Sequence, residues 1–344
     1  MTSTTMKAIV NTEFGGPDAL RLEEIARPAP KDNEILIRVR AAGVNFGDLM
    51  ARSFKSVTPR GFNMPFLFWL MSKAALGRRN PRIRVLGNEL AGKVAAVGPN
   101  VSRFKPGDEV FGYSGQRFGA YAEFLCLPES APVAPKPVHL SFEEAAAIPY
   151  GAVMALALLR KVDLQPGRKI LINGASGAIG SAAVQIAKHL GADVTAVCGG
   201  LRLEFVKALG ADRAIDYAEQ DFTQSGETYD VILDILGRTP LSRCRRSLEP
   251  RGVLLCASFK SRQLLAAIRT RLFGGRRVIC ALAPGGLKDL LAVKALVDEG
   301  AIRAIVDRSF PMAEAAESHR YVESGSKRGS VVITMPPGDL RESA

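Results

Sequence analysis

From Met6 to about Pro137, short apolar runs of strand character (KAIV, EILIRVRAAGV, LAGKVAAVG, DEVFGY and AYAEFLCL) alternate with Gly and Pro punctuation, which predicts a β-rich barrel or sandwich. Pro128, Pro132, Pro135 and Pro137 then mark an extended linker. Ser141 and Glu144 form a capping-box pattern that opens a helix running to Ala147. From Lys169 the rhythm becomes strand, glycine turn, helix, strand, repeated several times, with strands expected at 169–173, 194–198, 213–216, 230–234, 252–257 and 276–281. Such a rhythm belongs to a doubly wound parallel sheet covered by helices. Helices at 287–299 and 312–324, with strands near 304–309 and at 330–334, complete the chain, and this tail is expected to pack back onto the first domain. The fold class is α/β, with a β-rich domain built from residues 1–138 and 284–344 and a parallel-sheet domain from 139–283.

Composition narrows the picture little further. A chain of 344 residues with 47% hydrophobic and 23% charged residues can bury a substantial core, and nothing repeats at a fixed period, so disorder and solenoids are excluded. The N-terminus turns polar before any apolar stretch long enough for a secretory signal, and PFLFWLM at 65–71 is too short to span a bilayer, so a cytoplasmic protein is expected. The five cysteines are scattered without a CxxC pair and read as buried, reduced thiols. The net charge of +12 is concentrated: no acidic residue lies between Asp48 and Glu89, while Arg52, Lys55, Arg60, Lys73, Arg78, Arg79, Arg82 and Arg84 do. A second basic cluster runs from Lys260 to Arg277. Solvated basic faces, attraction of anionic ligands and peripheral membrane contact through 52–84 all remain open readings. No nucleic-acid-binding motif accompanies the charge, so no specific nucleic-acid partner is expected.

The strongest local signal is ILINGASGAIGSAAVQIAKHLGADVTAVC at 170–198. An apolar strand enters Gly174, Gly177 and Gly180, spaced G-x-x-G-x-x-G, and an amphipathic helix leaves them. Glycines let backbone amides approach a pyrophosphate, and the helix N-terminus adds free N–H groups and a positive dipole end. The second strand runs from Val194 to Cys198, where an NAD-specific site would place a carboxylate for the ribose 2′-hydroxyl; Gly199 and Gly200 follow instead. Arg202 just beyond suits a 2′-phosphate, so NADPH is expected over NADH.

With GVNFGD at 43–48, LGNELAGKVAAVGPNVSRFKPGDEVFGY at 86–113 and GSKRGSVVI at 325–333 added to the glycine turn, the sequence resembles the zinc-independent, quinone oxidoreductase-like branch of the medium-chain dehydrogenase/reductases over nearly its whole length. The resemblance implies a GroES-like catalytic domain formed from both chain ends, a Rossmann domain between them, a cleft for nicotinamide and substrate, and a homodimer. It also implies cofactor contacts from Asn45, Gly174, Ser176, Gly177, Ala178, Ile179, Gly180, Lys188, Gly200, Arg202, Tyr217, Phe259, Lys327 and Arg328. Each of the less local positions has a second reading. Tyr217 and Phe259 also read as core aromatics, Lys188 as a helix-surface lysine, Asn45 as a turn residue, and Lys327 with Arg328 as a charged hairpin tip. Met154 stands where family members commonly have threonine.

Zinc-dependent relatives place cysteine where this chain has Asn45 and histidine where it has Asn88, and the four closely spaced cysteines of a structural zinc lobe are absent. No zinc is therefore expected. Hydride reduction of a simple ketone leaves a localised alkoxide that needs a metal or a strong proton donor, whereas quinones and conjugated enones give delocalised anions. The expected activity is NADPH-dependent reduction of a quinone or an activated alkene, with Asn45, Asp48, Tyr113 and Tyr150 as pocket candidates, core packing being the better reading for Asp48 and either tyrosine, and with 52–84 as a helical lid. Two rivals are retained. A non-enzymatic NADPH-binding protein would contact RNA or a protein partner and turn nothing over, and an alcohol or carbonyl dehydrogenase would carry bound metal.

Overall fold

The computed structural model describes residues 4–282 and 285–336. KAIV lies within β1 (Thr5–Asn11), which pairs antiparallel with β2 (Leu20–Ala26). EILIRVRAAGV forms β3 (Glu34–Val44), the longest strand, which runs directly into α1 (Phe46–Arg52). The segment beyond holds α2 (Phe66–Leu76), stopped by Gly77 at φ 112°. There follow β4 (Glu89–Val97), β5 (Glu109–Tyr113), β6 (Phe124–Pro128) and β7 (Val133–Pro135). β3 is the hub, antiparallel to both β4 and β6. Its inward side chains Ile35, Ile37 and Val39 bury against Leu90, Val110 and Leu127, as period-two alternation requires.

The capping box forms at the start of α3 (Phe142–Ala146): Ser141 Oγ accepts the Glu144 amide at 3.1 Å and Glu144 Oε2 accepts the Ser141 amide at 2.9 Å. α4 (Pro149–Leu159) leads to the second sheet. Its elements are β8 (Lys169–Asn173), α5 (Ala178–His189), β9 (Asp193–Cys198), α6 (Leu203–Ala208), β10 (Arg213–Asp216), β11 (Tyr229–Asp234), α7 (Leu241–Cys244), β12 (Leu248–Cys256), α8 (Ser261–Phe273) and β13 (Arg277–Cys280). All pairings are parallel, in the order β10-β9-β8-β11-β12-β13. Counted along the chain this is 3-2-1-4-5-6, the Rossmann order, and it reverses between β8 and β11. β12 starts earlier than its apolar run because Leu248 already pairs with Tyr229 before a bulge; the ladder resumes at Val253.

The tail supplies α9 (Leu287–Asp298), β14 (Val306–Pro311), α10 (Ala315–Glu323) and β15 (Ser330–Thr334). β15 pairs antiparallel with β3, with Val331 opposite Val44, so both ends of the chain share one sheet of order β14-β15-β3-β4-β5-β7. The junction expected between 283 and 284 lies outside the described residues. Among those described, no helix is long and apolar enough to cross a membrane.

Candidate active site

At the point where the Rossmann order reverses, the C-terminal ends of β8 and β11 are tied together. Asn173 Nδ2 donates to Asp234 Oδ1 at 3.1 Å, and buried Asp234 also accepts the amides of Gly237 at 3.2 Å and Thr239 at 2.8 Å. Burial raises the Asp234 pKa against these bonds. The turn out of β8 needs Gly174 at φ +93°. Gly177 is the N-cap of α5, and a Cβ on Gly180 would sit 2.2 Å from the Gly174 carbonyl oxygen, which no side chain can do. Ser176, Gly177, Ala178 and Ile179 remain partly open between buried Ala175 and Gly180, so the first-turn amides of α5 line a cradle that a phosphate fits.

Beyond β9, a Cβ on Gly199 would lie 3.4 Å from Tyr217 Oη and 3.5 Å from Arg202 Nη1, so both side chains flank this strand end. Tyr217 is exposed, and Arg202 Nε donates to the Lys327 carbonyl at 3.0 Å. Asp216 lies against Gly200 but turns one oxygen to the Ala218 amide at 2.9 Å. Lys327, half-buried, reaches the other half of the site: burial lowers its pKa while the Glu89 carboxylate raises it.

Glu89 is the residue that sequence reasoning missed. It is buried at the start of β4, where its carboxylate accepts the Asn45 side-chain amide and the Tyr150 backbone amide at 2.5 Å. Burial outweighs these bonds and pushes its pKa up to about 7. An acidic residue heading an apolar strand, next to Asn88, was the available signal.

Three pocket or cofactor candidates, Asp48, Tyr113 and Phe259, are buried, in line with the core reading of each. Asp48 is fully buried and serves as a cap: its carboxylate accepts the Asn45 amide at 2.9 Å and the Gly87 amide at 3.0 Å, and burial raises its pKa to about 7. Tyr113 is buried within the core that α4 and α9 share, beside Gly285. Phe259 packs in the core with Leu171 and Val197, so its ring is not presented to a ligand. Lys188 is not brought to the site at all. It lies near the C-terminus of α5, a helix away from the glycine turn, and pairs with Asp212. Arg328 is exposed at the hairpin tip, its amide donating to Asp307 at 3.1 Å.

Behind the cluster, Arg52 is buried rather than solvated, with Nη1 donating to His319 Nδ1 at 2.9 Å and Nη2 to Glu323. That bond leaves Nε2 of neutral His319 to face Tyr121 Oη at 3.3 Å, and burial, seconded by Arg52, lowers the His319 pKa to about 3. The Tyr121 hydroxyl in turn lies close enough to Asp48 to favour its charged form. The five cysteines are unbridged; Cys126 and Cys280 are only partly buried. Among the described residues, no three His, Cys, Asp or Glu side chains are grouped to hold a metal ion.

Residues 31–138 match the alcohol dehydrogenase GroES-like domain, and residues 209–333 match the zinc-binding dehydrogenase domain. A quinone-oxidoreductase homolog from spinach chloroplasts is 30% identical over 97% of this chain and 99% of its own. The chain belongs to the medium-chain dehydrogenase/reductases, in their zinc-independent, quinone oxidoreductase-like branch. Within that branch, an NADPH-dependent alkenal/one oxidoreductase from Arabidopsis thaliana is 29% identical over 95% of this chain and 79% of its own. Among solved structures, the quinone oxidoreductase from Coxiella burnetii superposes with a TM-score of 0.83 at 28% identity, covering 96% of this chain and all of the other. Membership in this family implies a nicotinamide dinucleotide cofactor, and the glycine cradle at the sheet reversal has the chemistry to hold it.

Proposed function

We propose that the protein reduces quinones or activated alkenes with NADPH. The observation that carries this reading is the meeting of two half-sites at Lys327. Its carbonyl accepts Arg202 from the glycine-lined end of β9, while its ammonium, donating to the Gly329 carbonyl at 3.3 Å, lies within electrostatic reach of Glu89, which holds Asn45. The segment Ser176 to Ile179 would line the pyrophosphate with backbone amides. Arg202 and Tyr217 would flank the adenosine ribose; Gly199 and Gly200 bring no carboxylate of their own, the nearby Asp216 turns one oxygen to the Ala218 amide, and Arg202 supplies the cation that favours a 2′-phosphate. Lys327 and Arg328 would close over the dinucleotide, and Asn45, fixed through its backbone by Asp48 and through its side chain by Glu89, would orient the nicotinamide end. Phe259 keeps only a structural part in this reading.

When bound, the nicotinamide supplies a hydride to the electrophilic carbon of the acceptor. The chain's own contribution is to orient and to exclude water. The segment 52–84 reaches across to the Rossmann half, where Arg60 accepts Lys260 Nζ at 2.6 Å and Met64 packs on both cores, which suits a cover over the substrate. The names of the spinach and Arabidopsis relatives point to the same substrate classes. Titration with NADPH and NADH, followed by turnover on a panel of quinones and enals, tests the reading. Tighter NADPH binding and turnover on at least one class are expected, and binding without turnover on any acceptor would favour a non-enzymatic role.

A further inference from the structure

The amphipathicity of α8 is inverted. The side turned to its own domain carries Gln263, Ala266, Ala267 and Thr270, whereas Leu264, Leu265, Ile268 and Leu272 are exposed, Leu265 by 63% and Leu272 by 72%. At about 100° per residue these four side chains fall within an arc of roughly 100°. Arg262 and Arg269 border that arc on one side and Arg271 on the other. A helix that packs only on its own domain points its large apolar groups inward, so this stripe needs a cover.

Charge indicates which cover. No acidic residue occurs between Glu249 and Asp289, and Arg245, Arg269 and Arg271 have no carboxylate partner among the described residues. Arg245, Arg262, Arg269 and Arg276 rim a recess of about 730 Å³ between α7 and α8, roomy enough for a lipid head group. A second copy of a chain with net charge +12 would press this arginine border against its own like charge.

We propose that α8 seats the protein on an anionic lipid bilayer, with the Leu264, Leu265, Ile268 and Leu272 stripe among the acyl chains and the bordering arginines at head-group phosphates. The contact between Lys260 and Arg60 ties the second acid-free stretch, with exposed Phe66, Leu67, Leu70 and Met71 on α2, to the start of α8. The proposal stands on the geometry of α8 and does not depend on the reductase reading.

Co-sedimentation with phosphatidylcholine vesicles, with and without phosphatidylserine, tests it. The wild type is expected to bind the anionic vesicles at least about tenfold more strongly, and Leu265→Glu/Leu272→Glu and Arg269→Glu/Arg271→Glu should each weaken that binding by about tenfold. Both double variants change exposed side chains and should keep the wild-type melting temperature and NADPH affinity. Equal binding to both vesicle types overturns the proposal, as does wild-type binding by either variant. A lipid-free dimer that Leu265→Glu/Leu272→Glu converts to monomer would identify a second copy as the cover and overturn it too.

Discussion

The side-chain amide of Asn45 donates to Glu89, so the position that holds a zinc ligand in zinc-dependent relatives is here one half of a buried amide–carboxylate pair. Both Glu89 and Asp48, the two carboxylates that fix Asn45, have pKa values raised to about 7 by burial.

This predicts a pH dependence. The Glu89 carboxyl rises from its ordinary 4.5 to about 7 on folding, so the folded state favours its neutral form. The stability this adds is fully present below pH 4.5 and is lost as pH climbs through about 7. The loss amounts to about 3 kcal/mol for Glu89, and Asp48 adds a loss of the same sign. Urea unfolding across this range should show the wild type weakening with rising pH and Glu89→Gln weakening only about half as steeply. Equal slopes would show that Glu89 is not the titrating group.

At the glycine turn, Gly180→Ala places a methyl 2.2 Å from the Gly174 carbonyl oxygen and 2.7 Å from the Ala175 backbone. The turn must shift, at a cost of about 2 kcal/mol. Dinucleotide titration should show at least about tenfold weaker binding of NADPH and NADH alike, because the pyrophosphate is common to both.

Arg202→Ala separates the two cofactors. Loss of a charge-assisted bond to the 2′-phosphate should weaken NADPH by roughly ten- to a hundredfold and leave NADH nearly unaffected. An equal effect on both would mean that Arg202 acts only by holding the Lys327 carbonyl.

Arg52→Ala removes a buried cation from Gly15, His319 and Glu323 and frees the His319 ring that faces Tyr121. Chemical unfolding should show a loss of about 3 kcal/mol.

Local chemistry explains what could be read beforehand. The strands and the glycine turn depend on period and on residues within one supersecondary unit, and they fall where the pattern puts them. Arg52 looked like one member of a solvated basic run because its partners His319 and Glu323 lie more than 260 residues away. Lys188 follows the glycine turn closely in sequence, yet α5 carries it to its opposite end, beside Asp212. Phe259 lies near a strand end in the right place, but a ring that large found better burial in the core. Glu89 carries no comparable local signal, because its partners Asn45 and Tyr150 come from the start of α1 and from α4.

The central claim is hydride delivery from NADPH, held by amides and arginine, without help from a metal. It is tested most directly by following NADPH consumption with a quinone and with a 2-alkenal after exhaustive dialysis against a zinc chelator. The account predicts turnover on at least one of the two, unchanged by the dialysis. Activity that disappears with chelation and returns with added Zn²⁺, or NADPH that neither acceptor consumes, would contradict it.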